Sequence, residues 1–319
     1  MALSHSVAPS DRGVRRRGKI YWLLVLMRKP LPWLLFLLAP ALTGCLTRTH
    51  MVRKTRIADV VQNATLDQLL NSMNSRYEAI QTMNASVEIA ASTGGAHTGE
   101  VKEHSSLHGY IFMRKPEELR VLLQLPVIGS KALDMVSDGH TFKLLITAPK
   151  ARAVEGTNEV TEPSKNGLEN LRPFVFFDSL LVKKLASDQI VSLTQGVRVL
   201  EPADKKKDLL EEPDYDIEIL AQPQGQTVHT ERVVHVSRAN LLPYQQDIYD
   251  TSGHVATRAT YSGYQQHGDI YFPTVIVITR PLDEYSLTLT VTKIVFNERL
   301  EDDQFDLKIP DNVPVQHVK

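Results

Sequence analysis

Of the residue types able to do chemistry, the chain holds 11 histidines, 37 carboxylates and a single cysteine, Cys45. A zinc site needs three or four ligands at short, characteristic spacings. His104 and His108 are four apart, but their surroundings read as strand, where four residues span about 13 Å. His229 and His235 read as one strand face at a greater separation, and neither pair has a third ligand nearby. All four are expected as surface or sheet-edge side chains. A serine hydrolase needs a sharply presented nucleophile, and no Gly-x-Ser-x-Gly occurs. Phosphate loops, Gly-x-Gly-x-x-Gly and His-Glu-x-x-His are also missing from the sequence. The carboxylate pairs Glu211-Glu212 and Asp302-Asp303 lie in polar, turn-like stretches, where solvated charge is the expectation. These residues point to a protein that is not an enzyme and carries no metal or other cofactor.

The cysteine is a different matter. It cannot form an internal disulfide, and it sits where the one long apolar stretch ends. Arg28 and Lys29 make a short basic region, Leu31 to Ala39 an apolar core, and Leu42-Thr43-Gly44-Cys45 a small-residue end. The stretch falls short of the about 20 residues that span a bilayer. That weighs against the alternative, a signal anchor with an incidental cysteine. Leu42-Thr43-Gly44-Cys45 resembles a bacterial lipobox, which implies that residues 1–44 are a leader cut before Cys45 and that its thiol is diacylglycerylated. Met27 is the expected true start, because residues 1–26 only add a second basic stretch, Arg15-Arg16-Arg17, and a short apolar patch, Tyr21 to Leu26. Each buried methylene contributes about 0.8 kcal/mol, so two or three chains on one cysteine anchor essentially permanently. Leu46 follows where inner-membrane lipoproteins of enterobacteria carry aspartate. By resemblance this favours the periplasm-facing surface of the outer membrane.

Charge and composition narrow the rest. With Lys+Arg 36 against Asp+Glu 37, the net charge of −1 gives no long-range attraction to nucleic acid or to an anionic bilayer. An apolar fraction of 42% suits a globular fold. About 270 residues beyond the leader suffice for one sizeable core.

The elements that would hold such a core are legible in outline. Residues 45–62 read as the lipidated cysteine and a polar tether, and 63–319 as the folded domain. Thr65 with Gln68 three residues on is an N-cap pattern. From there Leu66, Leu69, Leu70, Met73, Tyr77 and Ile80 recur at helical spacing. The period then changes to two. Val87-Ile89-Ala91, Tyr215-Ile217-Ile219 and Leu287-Leu289-Val291 each alternate with polar neighbours. Further strands are expected near 108–114, 118–125, 132–137, 141–146, 228–236, 244–249, 255–264 and 270–279. Turns at Ser137-Asp138-Gly139, Thr251-Ser252-Gly253 and His267-Gly268-Asp269 imply an antiparallel meander. Pro173 to Val182 reads as an inserted helix begun by its proline. Polar loops are expected at 149–167 and 203–213. The fold class is α+β: a large antiparallel sheet with an N-terminal helix and one or two inserted helices.

The chain from 65 to 315 resembles the LolA/LolB-like periplasmic lipoprotein-carrier superfamily. The resemblance runs through the helix Leu66–Ile80, Thr82-Met83-Asn84-Ala85-Ser86, and Gly109 to Arg120 with its Arg114-Lys115-Pro116 turn. It continues through Ser137-Asp138-Gly139, Phe272-Pro273 and the closing Phe305-Asp306-Leu307-Lys308-Ile309-Pro310. It implies a sheet curved into an unclosed β-barrel, lidded by helices, that binds acyl chains of lipoproteins or phospholipids. A periplasmic carrier protein is the further partner implied. On this view Phe174, Phe176, Phe177, Leu180 and Leu181 line a cavity or its lid; on the residues alone the stronger expectation is that they fill a dry core. Leu125-Pro126-Val127-Ile128-Gly129 is similar to the membrane-inserting turn of the lipidated acceptor. Leu125, Val127 and Ile128 are then a lipid- or membrane-contact loop, the alternative being a turn folded under the sheet. The two polar loops make the chain longer than a minimal acceptor. A scaffold or sensor that binds a protein partner through the same fold is the other functional class kept open.

Overall fold

The computed structural model of the chain describes residues 49–318, apart from 127–128, 148–149, 159–171, 187–188, 205–206 and 222–226. Cys45 and the expected leader therefore lie outside the described residues, as do Val127 and Ile128. Contacts group Thr55–Lys319 into one unit. Among the described residues no helix is long and apolar enough to cross a membrane.

The expected capping box forms. The Thr65 hydroxyl accepts from the Gln68 amide at 3.3 Å, and the Gln68 side chain accepts from the Thr65 amide at 2.9 Å. It satisfies two of the donors that every helix start leaves open, and α1 runs Leu66–Ala79. Two meanders follow. The first comprises β2 (Thr82–Gly94), β3 (Val101–Arg114), β4 (Glu118–Gln124), β5 (Lys131–Ser137), β6 (Thr141–Ile146) and β7 (Arg152–Thr157). Then comes α2, Pro173–Leu180. The second comprises β8 (Ile190–Leu200), β9 (Leu209–Leu220), β10 (Thr230–Ser237), β11 (Pro243–Tyr249), β12 (Val255–His267), β13 (Ile270–Arg280) and β14 (Tyr285–Phe296). Antiparallel pairing of β14 with β2, from Phe296 beside Met83 to Tyr285 beside Thr93, joins the meanders. Short parallel strands complete a sheet of 15 strands among the described residues: β1 (Thr55–Ile57) beside β9, and β15 (Val315–Val318) beside β7.

The sheet is strongly curved and unclosed. In its order β12 and β5 are six strands apart, about 29 Å along a flat sheet, yet α2 touches both. A helix about 10 Å wide can do so only if the sheet wraps around it. One main core fills that concave side, uniting Met83, Val87, Ile111, Val121, Met135 and Ile276 with the apolar residues of α2. Beside it, Leu69 and Met73 of α1 pack on Tyr215, Ile217 and Val234. On the convex side Leu307, Ile309 and Val313 cover Val136, Leu145 and Ala153. This is the architecture the resemblance implies.

Four expectations need correction. The loop 149–167 contains β7, in which Ala153 faces the convex cluster while Val154 faces the main core. A strand apolar on both faces shows no alternation, so its period could not be read. The loop 203–213 is shorter than expected, because β9 begins at Leu209. Glu212 is buried there rather than solvated, held by Arg198 of β8 and by the Ser237 hydroxyl at 2.6 Å. His235 is no edge residue either; it sits in central β10, half-buried between Asp216 and Asp247.

Candidate functional site

The concave face is where this fold can hold a ligand, and α2 occupies it. Pro173 stands at the first helical position, where its fixed φ and missing N–H suit the helix. The Arg172 guanidinium lies 4.8 Å over the Phe142 ring and ties that end to β6. The helix is apolar nearly all round, which in water requires burial on several sides. Phe176, Phe177, Leu180 and Leu181 are 2, 3, 4 and 5% exposed, and Phe174 is half-buried. The five expected cavity residues are thus brought together, and four of them fill the concave core.

What fixes the other end of α2 was not legible. Its last carbonyls, like those of any helix, have no partner within the helix. Two side chains from the sheet supply partners. Gln246 of β11 donates to the Asp178 carbonyl at 2.5 Å, and Tyr261 of β12 donates to the Ser179 carbonyl at 3.0 Å. Gln246 also donates to the Tyr261 hydroxyl at 2.6 Å. Gln246 is wholly buried, and burial raises the Tyr261 phenol well above its ordinary pKa, so it stays a neutral donor. The one sequence signal was a glutamine at an inward position of a strand.

Open space lies at both ends of α2. Toward its N-terminal half a cleft of about 480 Å³ is bordered by Phe174, Asp178 and Lys183 on one side and Tyr249, Thr257 and Arg280 on the other. That volume is within the range of small-molecule sites. Lys183 pairs with Asp178 at 2.7 Å on its rim. Toward the C-terminal end a cavity of about 60 Å³ lies among α1, α2 and β11–β13, room for about two waters. Leu125 is half-buried in the β4–β5 turn. There its amide donates to the Ser130 carbonyl at 2.8 Å, and Gly129 takes a left-handed φ of 66° that only glycine adopts freely.

The convex face of β8–β12 carries charge instead. A bulge opposite His235 turns Tyr244 and Gln245 to the same side. Tyr244 donates to Asp214 at 2.5 Å, and Arg258 makes two bonds to Asp247 at 2.7 and 2.8 Å. Burial pulls the His235 imidazolium down, but its pairing with Asp247 and Asp216 outweighs this and raises it. Burial also pushes Asp247 up, yet His235 and Arg258 hold it at about 2. Among the described residues no three His, Cys, Asp or Glu side chains group so as to hold a metal ion.

A family model described only as an uncharacterized protein matches residues 201–309. No curated protein matches the chain. Solved structures similar to it include a LolA superfamily protein from Nitrosomonas europaea, 14% identical over 77% of this chain and 99% of that one, with a TM-score of 0.45. A DUF1329 family protein from Desulfovibrio piger is 15% identical over 75% and 94%, TM-score 0.46. A domain from Vibrio parahaemolyticus described as an outer membrane lipoprotein-sorting protein is 15% identical over 75% and 94%, TM-score 0.44.

Proposed function

We propose that the chain is an outer-membrane lipoprotein, held by lipid on Cys45, that takes acyl chains into the concave face of its sheet and moves lipids or lipoproteins at that membrane. The observation that carries this reading is α2 itself. Its contacts with the sheet are apolar and non-directional, so methylene chains can replace them once the helix lifts. Among the described residues, directional contacts hold its ends: Arg172 over Phe142, and the Tyr261–Gln246 pair. A cleft of about 480 Å³ already opens beside it. In this scheme Val127 and Ile128 contact the target membrane, so Val127→Glu or Ile128→Glu impairs lipid transfer without unfolding the protein. Equal loss of folding in those variants would instead place the turn in the core.

One observation favours a second reading, a scaffold or sensor lipoprotein that binds a protein partner: Phe176, Phe177, Leu180 and Leu181 fill the concave face as it stands. Native mass spectrometry of the gently extracted mature chain separates the two. Phospholipid or acylated peptide, lost on delipidation and regained on mixing, supports transport. A clean lipid-free mass that takes up nothing supports the scaffold. Cys45→Ser should abolish the lipid mass increment and release the protein from the membrane.

A further inference from the structure

The small cavity at the C-terminal end of α2 is bordered by a charge that no described residue answers. The inward stripe of α1 runs Met73, Arg76, Tyr77, Ile80, at the spacing that keeps residues on one helix face. Among the described residues Arg76 is the only charged one bordering the cavity. Its Nε donates to the Ser72 hydroxyl at 3.3 Å, and one terminal nitrogen, Nη1, is buried with no hydrogen-bond partner. Among the described residues no carboxylate pairs with it. Its polar surroundings are the phenols of Tyr264 and Tyr271, and burial lowers its pKa. Arg76 is partly exposed, but its desolvated and unpaired Nη1 costs stability that an anionic partner would restore. The facing wall is apolar, made by Leu180, Leu181 and Phe272, and Tyr271, 46% exposed, marks where the cavity meets solvent.

We propose that Arg76 anchors the oxyanion end, phosphate or carboxylate, of an amphiphile whose hydrocarbon lies against Leu180, Leu181 and Phe272. This rests on the acyl-binding reading and adds the class of ligand, acidic rather than neutral. A cavity of about 60 Å³ admits a charged head and only the first methylenes of a chain, which meet that apolar wall. The guanidinium fork matches two oxygens of either group. The tail must then follow α2 toward the larger cleft, which places the head at the α1 end.

The test is binding of oleate, oleyl alcohol and dioleoylphosphatidylglycerol to the mature chain and to its Arg76→Met and Arg76→Lys variants, by calorimetry. The wild type should prefer at least one anionic probe to the alcohol. Arg76→Met should lose about tenfold to a hundredfold in affinity for that probe and leave the alcohol within about threefold; Arg76→Lys should keep part of the preference. A preference for oleate assigns a carboxylate ligand, and one for phosphatidylglycerol a phosphodiester. Wild-type protein that binds alcohol and anions equally, or an Arg76→Met variant that keeps the preference, overturns the assignment while acyl binding stands. Failure of all three probes to bind overturns acyl binding as well.

Discussion

The hold of Tyr261 on α2 can be tested at the level of one oxygen atom. Tyr261→Phe keeps the ring and its packing, so no cavity opens. It removes the donor to the Ser179 carbonyl and one of the two acceptors that Gln246 uses. A buried carbonyl left without a partner costs about 1–3 kcal/mol, and the Gln246 amide keeps its bond to Asp178. The expected destabilisation is therefore about 2 kcal/mol, or a fall in midpoint of about 4–8 °C for a domain of this size. The effect should be concentrated locally. Hydrogen exchange at 175–181 should quicken about thirtyfold if the whole loss acts on lifting α2, while amides of β2 and β3 change only with global stability. Acyl uptake should become faster in the same variant. Unchanged exchange at 175–181 would refute the idea that this phenol holds the helix down, whatever happens to the midpoint.

Other outcomes follow from the same packing. Phe176→Ala should cost about 3–5 kcal/mol in urea unfolding, the usual loss for a buried phenylalanine; a loss near zero would mean its site collapses freely. Asp134, 1% exposed, receives two bonds from Arg120 at 2.9 and 2.7 Å and one from Lys131 at 2.8 Å. Asp134→Ala strands a buried guanidinium and should cost about 3–5 kcal/mol, whereas an exposed pair such as Arg299–Glu301 should show under about 1 kcal/mol. Asp247, its side chain 5% exposed, contributes about 2 kcal/mol that is present above the ordinary carboxylate range and lost as pH falls through about 2. The raised His235 contributes stability below about pH 6.5 that is lost as pH climbs past its folded value. Asp247→Asn should flatten both limbs of stability against pH, and a curve identical to wild type would break the link.

Local signals in the sequence located much of this fold. Thr65 and Gln68 announced α1, and Pro173 followed by a run of apolar residues announced α2, because caps and prolines act within a turn of themselves. The strand expected at 141–146 matches β6 to the residue, since it is short, bounded by a turn and apolar on alternate positions. What escaped detection depends on partners far along the chain. Glu212 reads as a solvated charge until β8 supplies Arg198. Val291 continues the alternation of Leu287 and Leu289 on paper, but a register shift between Val291 and Lys293 leaves it half-buried. His235 and Gln246 looked ordinary for the same reason, as their neighbours are brought in by strands 10 or more residues away. The candidate site was legible only where it is apolar; its polar fastenings, Tyr261, Gln246 and Arg76, carry no local pattern, apart from a charge on an otherwise apolar helix stripe.

The parallel strand β15 lies like a shutter over one edge of the sheet, where a second chain could otherwise pair. It occupies the outer hydrogen-bonding edge of β7 with four residues, Val315 beside Ala153 through Val318 beside Gly156. The fit requires a glycine, because a Cβ at Gly156 would meet the Val318 carbonyl at 2.3 Å. Gly156→Val would therefore evict the shutter, and with it the contact Val318 makes on the edge of the main core. The bared edge of β7 could then accept a strand from a second molecule, and nothing in a head-to-tail addition of that kind obliges it to close after two copies. Light scattering that grows with concentration in Gly156→Val, but not in the parent, would show that four residues separate a discrete molecule from a growing fibre.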